Sequence, residues 1–276
     1  MTVIFDGKQF AKEKEANLAK EVKRLAILGI KPKLVSILVG DNRASVLYVD
    51  LKKKAGERVG VEVEIKTFSE NVGFWDIVHE IKNLNKNRSV HGIMIQLPLP
   101  RNFSIKERDK IVNEIAKEKD VDGLRNDSVY LTPTVKSVLQ VIKEANQYIV
   151  RPALGDRPRK QLKVVVVGAK GFEGKKIFKV IKEMGYDVDG IDKSTKNLRE
   201  KTKAADILIS VTGSPGIIGK DHIKESAIII DVGSPHGDVK LAEIVGKASF
   251  ISPVPGGIGP LTIFNLLDNL VEATES

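Results

Sequence analysis

Continuous runs of β-branched residues, separated by helical patterns, are the feature that most constrains the fold of this sequence. Residues 164–167 are all Val and residues 228–230 are all Ile, so neither run alternates between apolar and polar positions. A strand with this pattern is buried on both faces, as in a parallel sheet that has helices on both sides. We therefore predict an α/β protein built on parallel sheets.

Strand and helix patterns alternate through both halves of the chain. We predict strands over residues 33–39, 61–68, 92–96, 163–167, 187–191, 206–211, 227–232 and 250–252. We predict helices over residues 8–26, 44–59, 74–84, 105–116, 137–145 and 261–273, with a further helix beginning at Lys175. These elements predict two three-layer α/β units with an active-site cleft between them.

The expected domain division follows from this order of elements. Residues 1–136 form one domain, completed by a returning C-terminal helix at residues 261–276. Residues 137–260 form a Rossmann-type domain whose parallel sheet binds a dinucleotide. The polar segment at residues 147–161 is a boundary or an exposed connection.

Composition narrows the class of protein. The 276 residues are 42% hydrophobic and 29% charged, which is typical of a soluble globular protein with sizeable cores. The net charge of +9 fits either anionic small ligands or a lysine-rich solvated surface. Aromatic residues are only 5% and no basic tract is interleaved with them, so we expect no nucleic-acid partner.

Metal and thiolate chemistry are not expected. The chain has no cysteine, and its four histidines (His79, His91, His222 and His236) lack ligand spacing. The N-terminal stretch lacks an apolar signal core, and no apolar run approaches membrane-spanning length. We therefore expect a cytoplasmic protein with no metal and no membrane partner.

The segment after the strand at residues 33–39 predicts a helix with a lysine on its inward face. Asp41 and Asn42 are capping residues. The inward face is predicted to hold apolar residues at helical spacing: Ala44, Tyr48, Leu51, Ala55 and Val59. Lys52 lies on this face one turn after Tyr48, where desolvation would lower its pKa and let it transfer a proton near neutral pH. Alternatively, Lys52 extends to solvent and Tyr48 is ordinary core.

A glycine-rich turn follows the strand at residues 163–167. Gly168, Ala169, Lys170, Gly171 and Gly174 precede a helical stretch. Backbone N–H groups and the helix dipole at such a turn can hold a diphosphate, although the spacing differs from the common G-x-G-x-x-G pattern. Alternatively, the glycines only shape a tight turn between strand and helix.

The next strand ends at the position whose side chain binds the adenosine ribose in a dinucleotide-binding fold. Asp192 there could accept hydrogen bonds from both ribose hydroxyls, which favours NAD. Lys193 and Lys170 could instead pair with a 2′-phosphate, which favours NADP. We expect NADP, with NAD as the alternative, because two lysines near one phosphate can outweigh one carboxylate.

Polar residues also follow the strand at residues 92–96. Ligands of open parallel sheets bind beyond the carboxyl ends of strands. Gln96, followed by Pro98 and Pro100, could therefore bind a ligand or orient Lys52, or it could only cap backbone groups. Asp120 and Asp122 would point the same way if their segment were extended, whereas a turn is the alternative for Asp-Gly.

The loop at residues 252–262 combines three glycines with three prolines before the last helix. Glycine lets a backbone approach a flat ring closely, and Pro260 suits a first helical position. We therefore predict that this loop binds a ligand.

Together, these segments resemble the bifunctional 5,10-methylenetetrahydrofolate dehydrogenase/cyclohydrolase family. The most specific motifs are Tyr-Val-x-x-Lys at residues 48–52 and Pro-Val-Pro-Gly-Gly-x-Gly-Pro-x-Thr at residues 253–262. The likeness continues, in the expected order, through residues 39–45, 92–98, 119–123, 168–174 and 231–233.

The resemblance implies roles for individual residues. Lys52 is the catalytic lysine, Gln96 assists it, Tyr48 lies against the folate ring and Asp122 binds the pterin edge. Further substrate contacts are expected from Pro255, Gly256, Gly257 and Thr262. Dinucleotide contacts are expected from Gly168, Ala169, Lys170, Gly174, Asp192, Lys193, Thr212, Gly213 and Ser234.

The activity implied by the resemblance has two steps. Methylenetetrahydrofolate is oxidised by hydride transfer to NADP, and the methenyl product is hydrolysed to 10-formyltetrahydrofolate. The family also implies a homodimer acting in one-carbon metabolism and purine biosynthesis. Alternatives are a dehydrogenase without cyclohydrolase activity, another NAD(P)-dependent dehydrogenase of similar two-domain architecture, and a dinucleotide-sensing module without turnover.

Departures from the family pattern fall mostly on the dinucleotide side. The usual Gly-Arg-Ser is Gly-Ala-Lys at residues 168–170, and the usual Cys-His-Ser-Arg is Ile-Asp-Lys-Ser at residues 191–194. The usual Pro-Cys-Thr-Pro is Thr-Pro-Thr-Val at residues 132–135, and Ser234 replaces a hydrophobic residue. These departures therefore bear on the cofactor preference and not on the folate chemistry.

Overall fold

The computed structural model describes residues 1–148 and 162–275. The strands are β1 (Val3–Ile4), β2 (Lys33–Val39), β3 (Glu62–Phe68), β4 (Gly92–Ile95), β5 (Lys163–Val167), β6 (Asp187–Ile191), β7 (Ile207–Ser210), β8 (Ile228–Asp231) and β9 (Phe250–Ser252). The α-helices are α1 (Gly7–Ile27), α2 (Arg43–Val59), α3 (Phe74–Lys86), α4 (Ile105–Asn113), α5 (Pro133–Ala145), α6 (Phe172–Glu183), α7 (Leu198–Lys203), α8 (Leu241–Ile244) and α9 (Ile258–Glu275).

The chain divides into two compact units. The Lys52 unit comprises Ala11–Pro133 and Ile263–Ser276, and the Gly168 unit comprises Met1–Phe10 and Thr134–Thr262. The expected division had placed the first ten residues in the other domain. They cluster with the Gly168 unit because β1 pairs with β9, and the Phe5 N–H donates to the Ile251 carbonyl at 2.8 Å.

The Lys52 unit is built on a parallel sheet in the order β3-β2-β4. Central strand β2 is buried at every position after Lys33, as a continuous apolar run predicts. Its side chains pack with α3 and α4 in one hydrophobic core, which includes Ile37, Ile77 and Ile111 at 0% exposure. Burial of this apolar surface stabilises the unit and fixes the positions of the strand ends.

The Gly168 unit contains a six-stranded parallel sheet in the order β1-β9-β8-β7-β5-β6. The chain runs from β5 outward to β6 and then returns to the other side of β5 as β7. The strand order therefore reverses between β5 and β7. Parallel sheets of this kind bind ligands beyond the carboxyl ends of the strands at such a switch point.

The predicted α/β class and parallel sheets are confirmed, and each of the eight predicted strands is present with small shifts at its ends. β1, α7 and α8 were not predicted, because they are short and carry no clear periodic pattern. The helix predicted over residues 105–116 ends at Asn113, and the one predicted from Lys175 begins at Phe172. Most of the predicted connection at residues 147–161 lies outside the described residues, which omit 149–161.

The predicted inward face of α2 is partly wrong. Ala44 and Leu51 are exposed, whereas the buried face comprises Ser45, Val49, Ala55, Gly56 and Val59. The predicted cap is present, since the Asn42 side chain accepts hydrogen bonds from the backbone of Ala44 and Ser45. The face is rotated because α2 packs against β3 through Gly56, where a Cβ atom would lie 2.6 Å from a Val63 methyl carbon.

In the described part of the chain, no helix is long and apolar enough to cross a membrane.

Substituting Gly56 with alanine should destabilise the protein although alanine has the higher helix propensity. The added methyl group would overlap Val63 and approach the Val61 carbonyl at 3.0 Å, so α2 must shift. We expect the free energy of unfolding to fall by about 1–3 kcal/mol, measured by urea denaturation.

Gly259→Ala is the matched control, because nothing lies within 4 Å of its added Cβ atom in α9. We expect that variant to be as stable as the wild type or more stable by about 0.5–1 kcal/mol. Equal stability of Gly56→Ala and the wild type would contradict the close packing of α2 on β3.

Candidate active site

The Lys52 unit brings Lys52 and Gln96 into direct contact. Lys52 lies on α2, and Gln96 follows β4 directly. The Lys52 ammonium donates to Gln96 Oε1 at 2.8 Å and lies 3.6 Å from the sulfur of Met94. Gln96 is only 8% exposed, and its amide nitrogen donates to the Leu97 carbonyl at 2.8 Å. The second hydrogen bond fixes which atom of Gln96 faces the lysine.

Burial lowers the pKa of Lys52 below the usual lysine value, because the charged ammonium loses solvation. The carboxylate of Asp122 acts in the opposite direction and partly offsets this effect. Lys52 does not extend away from the unit, since its nitrogen is held by a buried glutamine. Tyr48, one turn earlier on α2, is half-buried. The arrangement provides an oriented amine that exchanges a proton more readily than a surface lysine does.

The two aspartates after α4 lie in a turn rather than in an extended segment, which is the alternative that the Asp-Gly sequence predicts. A 3-10 turn at Lys117–Lys119 leads into a tight turn. Asp120 is fully buried and accepts hydrogen bonds from the backbone N–H groups of Leu124 at 3.2 Å and Arg125 at 3.0 Å. Asp122 is partly exposed. Asp120 therefore shapes the loop, and Asp122 remains accessible to a ligand.

The glycine-rich turn of the Gly168 unit requires its glycines for steric reasons. Gly168 has φ 91°, and a Cβ atom there would lie 2.6 Å from the Val211 carbonyl oxygen. A Cβ atom on Gly174 would lie 2.1 Å from the carbonyl oxygen of Gly168. The turn therefore packs directly on the first turn of α6 and against the end of β7. A helix N-terminus presented in this way fits a diphosphate group.

The residues at the end of β6 form a network around Asp192. Lys170 Nζ pairs with Asp192 Oδ2 at 2.8 Å. Ser194 donates to Asp192 Oδ1 from its backbone N–H at 2.7 Å and from its hydroxyl at 2.6 Å. These donors lower the pKa of Asp192 to about 2, with Lys170 as the largest cause. Lys193 is exposed.

The loops that follow β7 and β8 lie at the same edge of the sheet as the glycine-rich turn. The Thr212 N–H donates to Asp238 Oδ2 at 2.7 Å, and Gly213 has φ 64°. Ser234 is exposed after β8. Asp238 is fully buried and was not singled out from the sequence, because the fold alone brings it to a loop 26 residues earlier.

The loop before α9 is held by backbone contacts within the Gly168 unit. The Gly7 N–H donates to the Gly256 carbonyl at 2.8 Å, and Gly256 has φ 102°. A Cβ atom on Gly257 would lie 2.3 Å from Ser252 Oγ. Pro255 is exposed, and the Thr262 hydroxyl donates to the Gly259 carbonyl at 2.7 Å. These candidate substrate contacts therefore belong to a different unit from Lys52, Gln96 and Asp122.

The Gly168 unit has the features of a dinucleotide-binding α/β unit. These are the switch point in its sheet, the glycine-rich turn and the acidic residue after the next strand. This unit is joined in one chain to an α/β unit that carries a partly buried, oriented lysine. Among the described residues, no group of three or more His, Asp or Glu side chains is placed to hold a metal ion.

Comparison with known proteins identifies the family. The tetrahydrofolate dehydrogenase/cyclohydrolase catalytic domain matches residues 5–122, and the NAD(P)-binding domain of the same family matches residues 152–276. The chain therefore belongs to the tetrahydrofolate dehydrogenase/cyclohydrolase family, and the resemblance drawn from its motifs is confirmed.

Individual relatives match over nearly the full length. The bifunctional protein FolD of Bacillus velezensis is 38% identical, with 98% of this chain and 96% of that protein covered. The crystal structure of the bifunctional enzyme FolD from Campylobacter jejuni has a TM-score of 0.90 at 32% identity and covers 100% of this chain and 99% of its own. The Trypanosoma brucei enzyme, complexed with NADP and an inhibitor, has a TM-score of 0.88 at 27% identity, with 99% and 97% covered.

The raised pKa of the buried Asp120 predicts that this residue stabilises the folded protein most at low pH. Burial raises its pKa from 3.8 to about 6, so the folded protein binds this proton more tightly than the unfolded chain does. Asp120 therefore favours folding most below pH 3.8, and this contribution is lost as the pH rises to about 6. We compare the free energy of unfolding of the wild type with that of Asp120→Asn. We expect the difference, wild type minus variant, to fall by about 3 kcal/mol between pH 3.5 and 7.

Urea denaturation of both proteins across this pH range measures the difference. Asp127→Asn is the control, because Lys117 and Arg125 lower the pKa of Asp127. The stabilisation by Asp127 should therefore rise with pH, whereas that by Asp120 falls. A pH-independent difference between the wild type and Asp120→Asn would contradict the raised pKa.

Proposed function

We propose that this protein oxidises 5,10-methylenetetrahydrofolate with NADP and hydrolyses the 5,10-methenyl product to 10-formyltetrahydrofolate. The observation that carries the proposal is the hydrogen bond from the partly buried Lys52 to Gln96, in a chain that also has a dinucleotide-binding unit. Full-length similarity to bifunctional relatives supports both steps.

The first step needs a hydride acceptor held in a defined position. When bound, the nicotinamide ring supplies the carbon that accepts the hydride. We assign the diphosphate to the turn formed by Gly168, Ala169 and Lys170 and to the N-terminus of α6, which contains Gly174. Thr212, Gly213 and Ser234 would contact the dinucleotide from the neighbouring strand ends.

The second step needs a proton carrier beside the one-carbon group. The Lys52 amine takes a proton from the water that attacks the methenyl carbon, and Lys52 returns a proton to the ring nitrogen as the carbon–nitrogen bond breaks. Its lowered pKa supports this role, because a larger fraction of the amine is neutral near neutral pH. Gln96 keeps the amine in place, and Tyr48 stacks on the folate ring.

Other residues of the proposed site bind rather than react. Asp122, which is partly exposed and electrostatically coupled to Lys52, would accept hydrogen bonds from the pterin edge. Pro255, Gly256 and Gly257 would contact the substrate from the loop before α9, and Thr262 would do so from the first turns of that helix. We further propose that the protein acts as a cytoplasmic homodimer in the one-carbon metabolism that serves purine biosynthesis.

A direct assay distinguishes the proposed function from its alternatives. Wild-type protein is incubated with methylenetetrahydrofolate and either dinucleotide, and methenyl and 10-formyl products are followed separately. We expect both products and a higher kcat/KM with NADP than with NAD. Methenyl product that hydrolyses no faster than without enzyme would indicate a monofunctional dehydrogenase. Binding without turnover would indicate a sensing module, and a higher kcat/KM with NAD would overturn the cofactor assignment.

Lys52→Met should reduce the rate of methenyl hydrolysis at least 100-fold, because the side chain keeps its length but loses the proton carrier. Dinucleotide affinity should change less than twofold. Lys53→Met, at the exposed neighbouring position on α2, is the matched control and should hydrolyse the substrate at the wild-type rate. A near wild-type rate for Lys52→Met would exclude Lys52 as the carrier.

Asp122→Asn should weaken folate binding at least tenfold and leave dinucleotide binding unchanged. A carboxylate accepts two hydrogen bonds from a pterin edge, whereas an amide would turn a donor toward a donor. Separate titration of the folate and the dinucleotide measures the two affinities. Equal losses for both ligands would indicate a general structural defect and would contradict the assigned role.

A further inference from the structure

The end of β6 combines two features that usually belong to different dinucleotide sites. An acidic residue at this position is typical of NAD sites, where it accepts hydrogen bonds from the ribose 2′-hydroxyl. In this chain that residue is Asp192, but its carboxylate is already paired with Lys170 at 2.8 Å. NADP sites typically present a cation for the 2′-phosphate instead.

Both oxygens of Asp192 are engaged. Oδ2 receives the ion pair from Lys170, and Oδ1 accepts two hydrogen bonds from Ser194. The Asp192 N–H also donates to the Thr195 hydroxyl at 3.0 Å, which fixes the backbone of this residue. The carboxylate is therefore held in place within its own turn, and its charge is partly neutralised.

The two members of the ion pair differ in accessibility. The Asp192 side chain is 16% exposed, whereas the Lys170 side chain is 74% exposed. A lysine ammonium has three donors. One faces Asp192 and a longer contact of 3.4 Å reaches Ser194 Oγ, which leaves donor capacity toward solvent. An incoming ligand therefore meets the cation more readily than the anion.

The position of Lys170 is set by the backbone rather than by its own side chain. The N–H groups of Gly168 and Ala169 both donate to the Ile191 carbonyl, at 2.8 and 3.2 Å. These bonds hold the glycine-rich turn directly beside the residue that precedes Asp192. The pairing of Lys170 with Asp192 is therefore a consequence of how the turn after β5 is joined to the end of β6.

We propose that Lys170 determines dinucleotide selectivity by neutralising Asp192, so that the Gly168 unit accepts an adenosine 2′-phosphate although it retains the acidic residue of an NAD site. This inference rests on the proposed use of NADP and specifies its origin. Without Lys170, the Asp192 charge would repel the 2′-phosphate. The effect of removing Lys170 should therefore depend on whether Asp192 is charged.

A double-mutant cycle tests this dependence. The dissociation constants of NADP and NAD are measured by titration calorimetry for the wild type, Lys170→Met, Asp192→Asn and the double variant. Lys170→Met should raise the ratio of the NADP to the NAD dissociation constant at least tenfold. In the Asp192→Asn background the same substitution should raise this ratio threefold or less. Lys170→Arg, which keeps the charge, should remain within threefold of the wild type.

Lys179→Met is the charge-matched control. Lys179 lies on α6 and its side chain is also 74% exposed, but its partner is Glu183 on the same helix. Its removal lowers the net charge equally and should leave the ratio unchanged. Because Lys170 is exposed and Asp192→Asn is isosteric, all variants should fold, and thermal melting verifies this.

The possible results separate this inference from the proposed function. An equal effect of Lys170→Met in both backgrounds would overturn the inference, because Lys170 would then act only as a direct phosphate ligand. No change in the ratio for Lys170→Met would overturn it as well. Binding with the expected coupling but without turnover of methylenetetrahydrofolate would support the inference and contradict the proposed function.

Discussion

The hydrogen bond from Lys52 to Gln96 depends on how closely α2 approaches the sheet of its unit. Lys52 is carried by the helix and Gln96 by the end of β4, so the contact at 2.8 Å requires both elements to be fixed. Gly56 allows the close approach because any side chain there would overlap Val63 on β3. The Lys52 amine lies against Met94 and Gln96, and its burial lowers its pKa.

Buried carboxylates hold loops in both units. Asp120 accepts two backbone N–H groups in the Lys52 unit. In the Gly168 unit, Asp231 accepts backbone N–H groups from Gly233, Asp238 and Val239, at 2.9 to 3.1 Å. Burial raises the pKa of both acids, while the backbone donors act in the opposite direction. Such loops are organised before any ligand binds, which reduces the entropy lost on binding.

The dinucleotide side and the folate side differ in how far this chain keeps the pattern of its family. The motif around Tyr48 and Lys52 and the loop at residues 253–262 agree with it, whereas the residues around Lys170 and Asp192 depart from it. In the structure, the departing residues compensate for one another, because the lysine at the turn pairs with the acid at the end of β6. Two residues that favour different cofactors when each is considered alone therefore form one ion pair.

The sequence by itself determined the α/β class, the eight longer strands and the family, because apolar runs and glycine-rich turns are local patterns. Only the tertiary structure decided the pairing of β1 with β9, the rotation of the buried face of α2 and the separate environments of Asp120 and Asp122. It also decided that Asp238 holds Thr212 and that Lys170 pairs with Asp192. Each of these depends on packing or hydrogen bonding between residues distant along the chain. A local sequence pattern does not predict which distant groups will come into contact, because the fold of the whole unit brings them together.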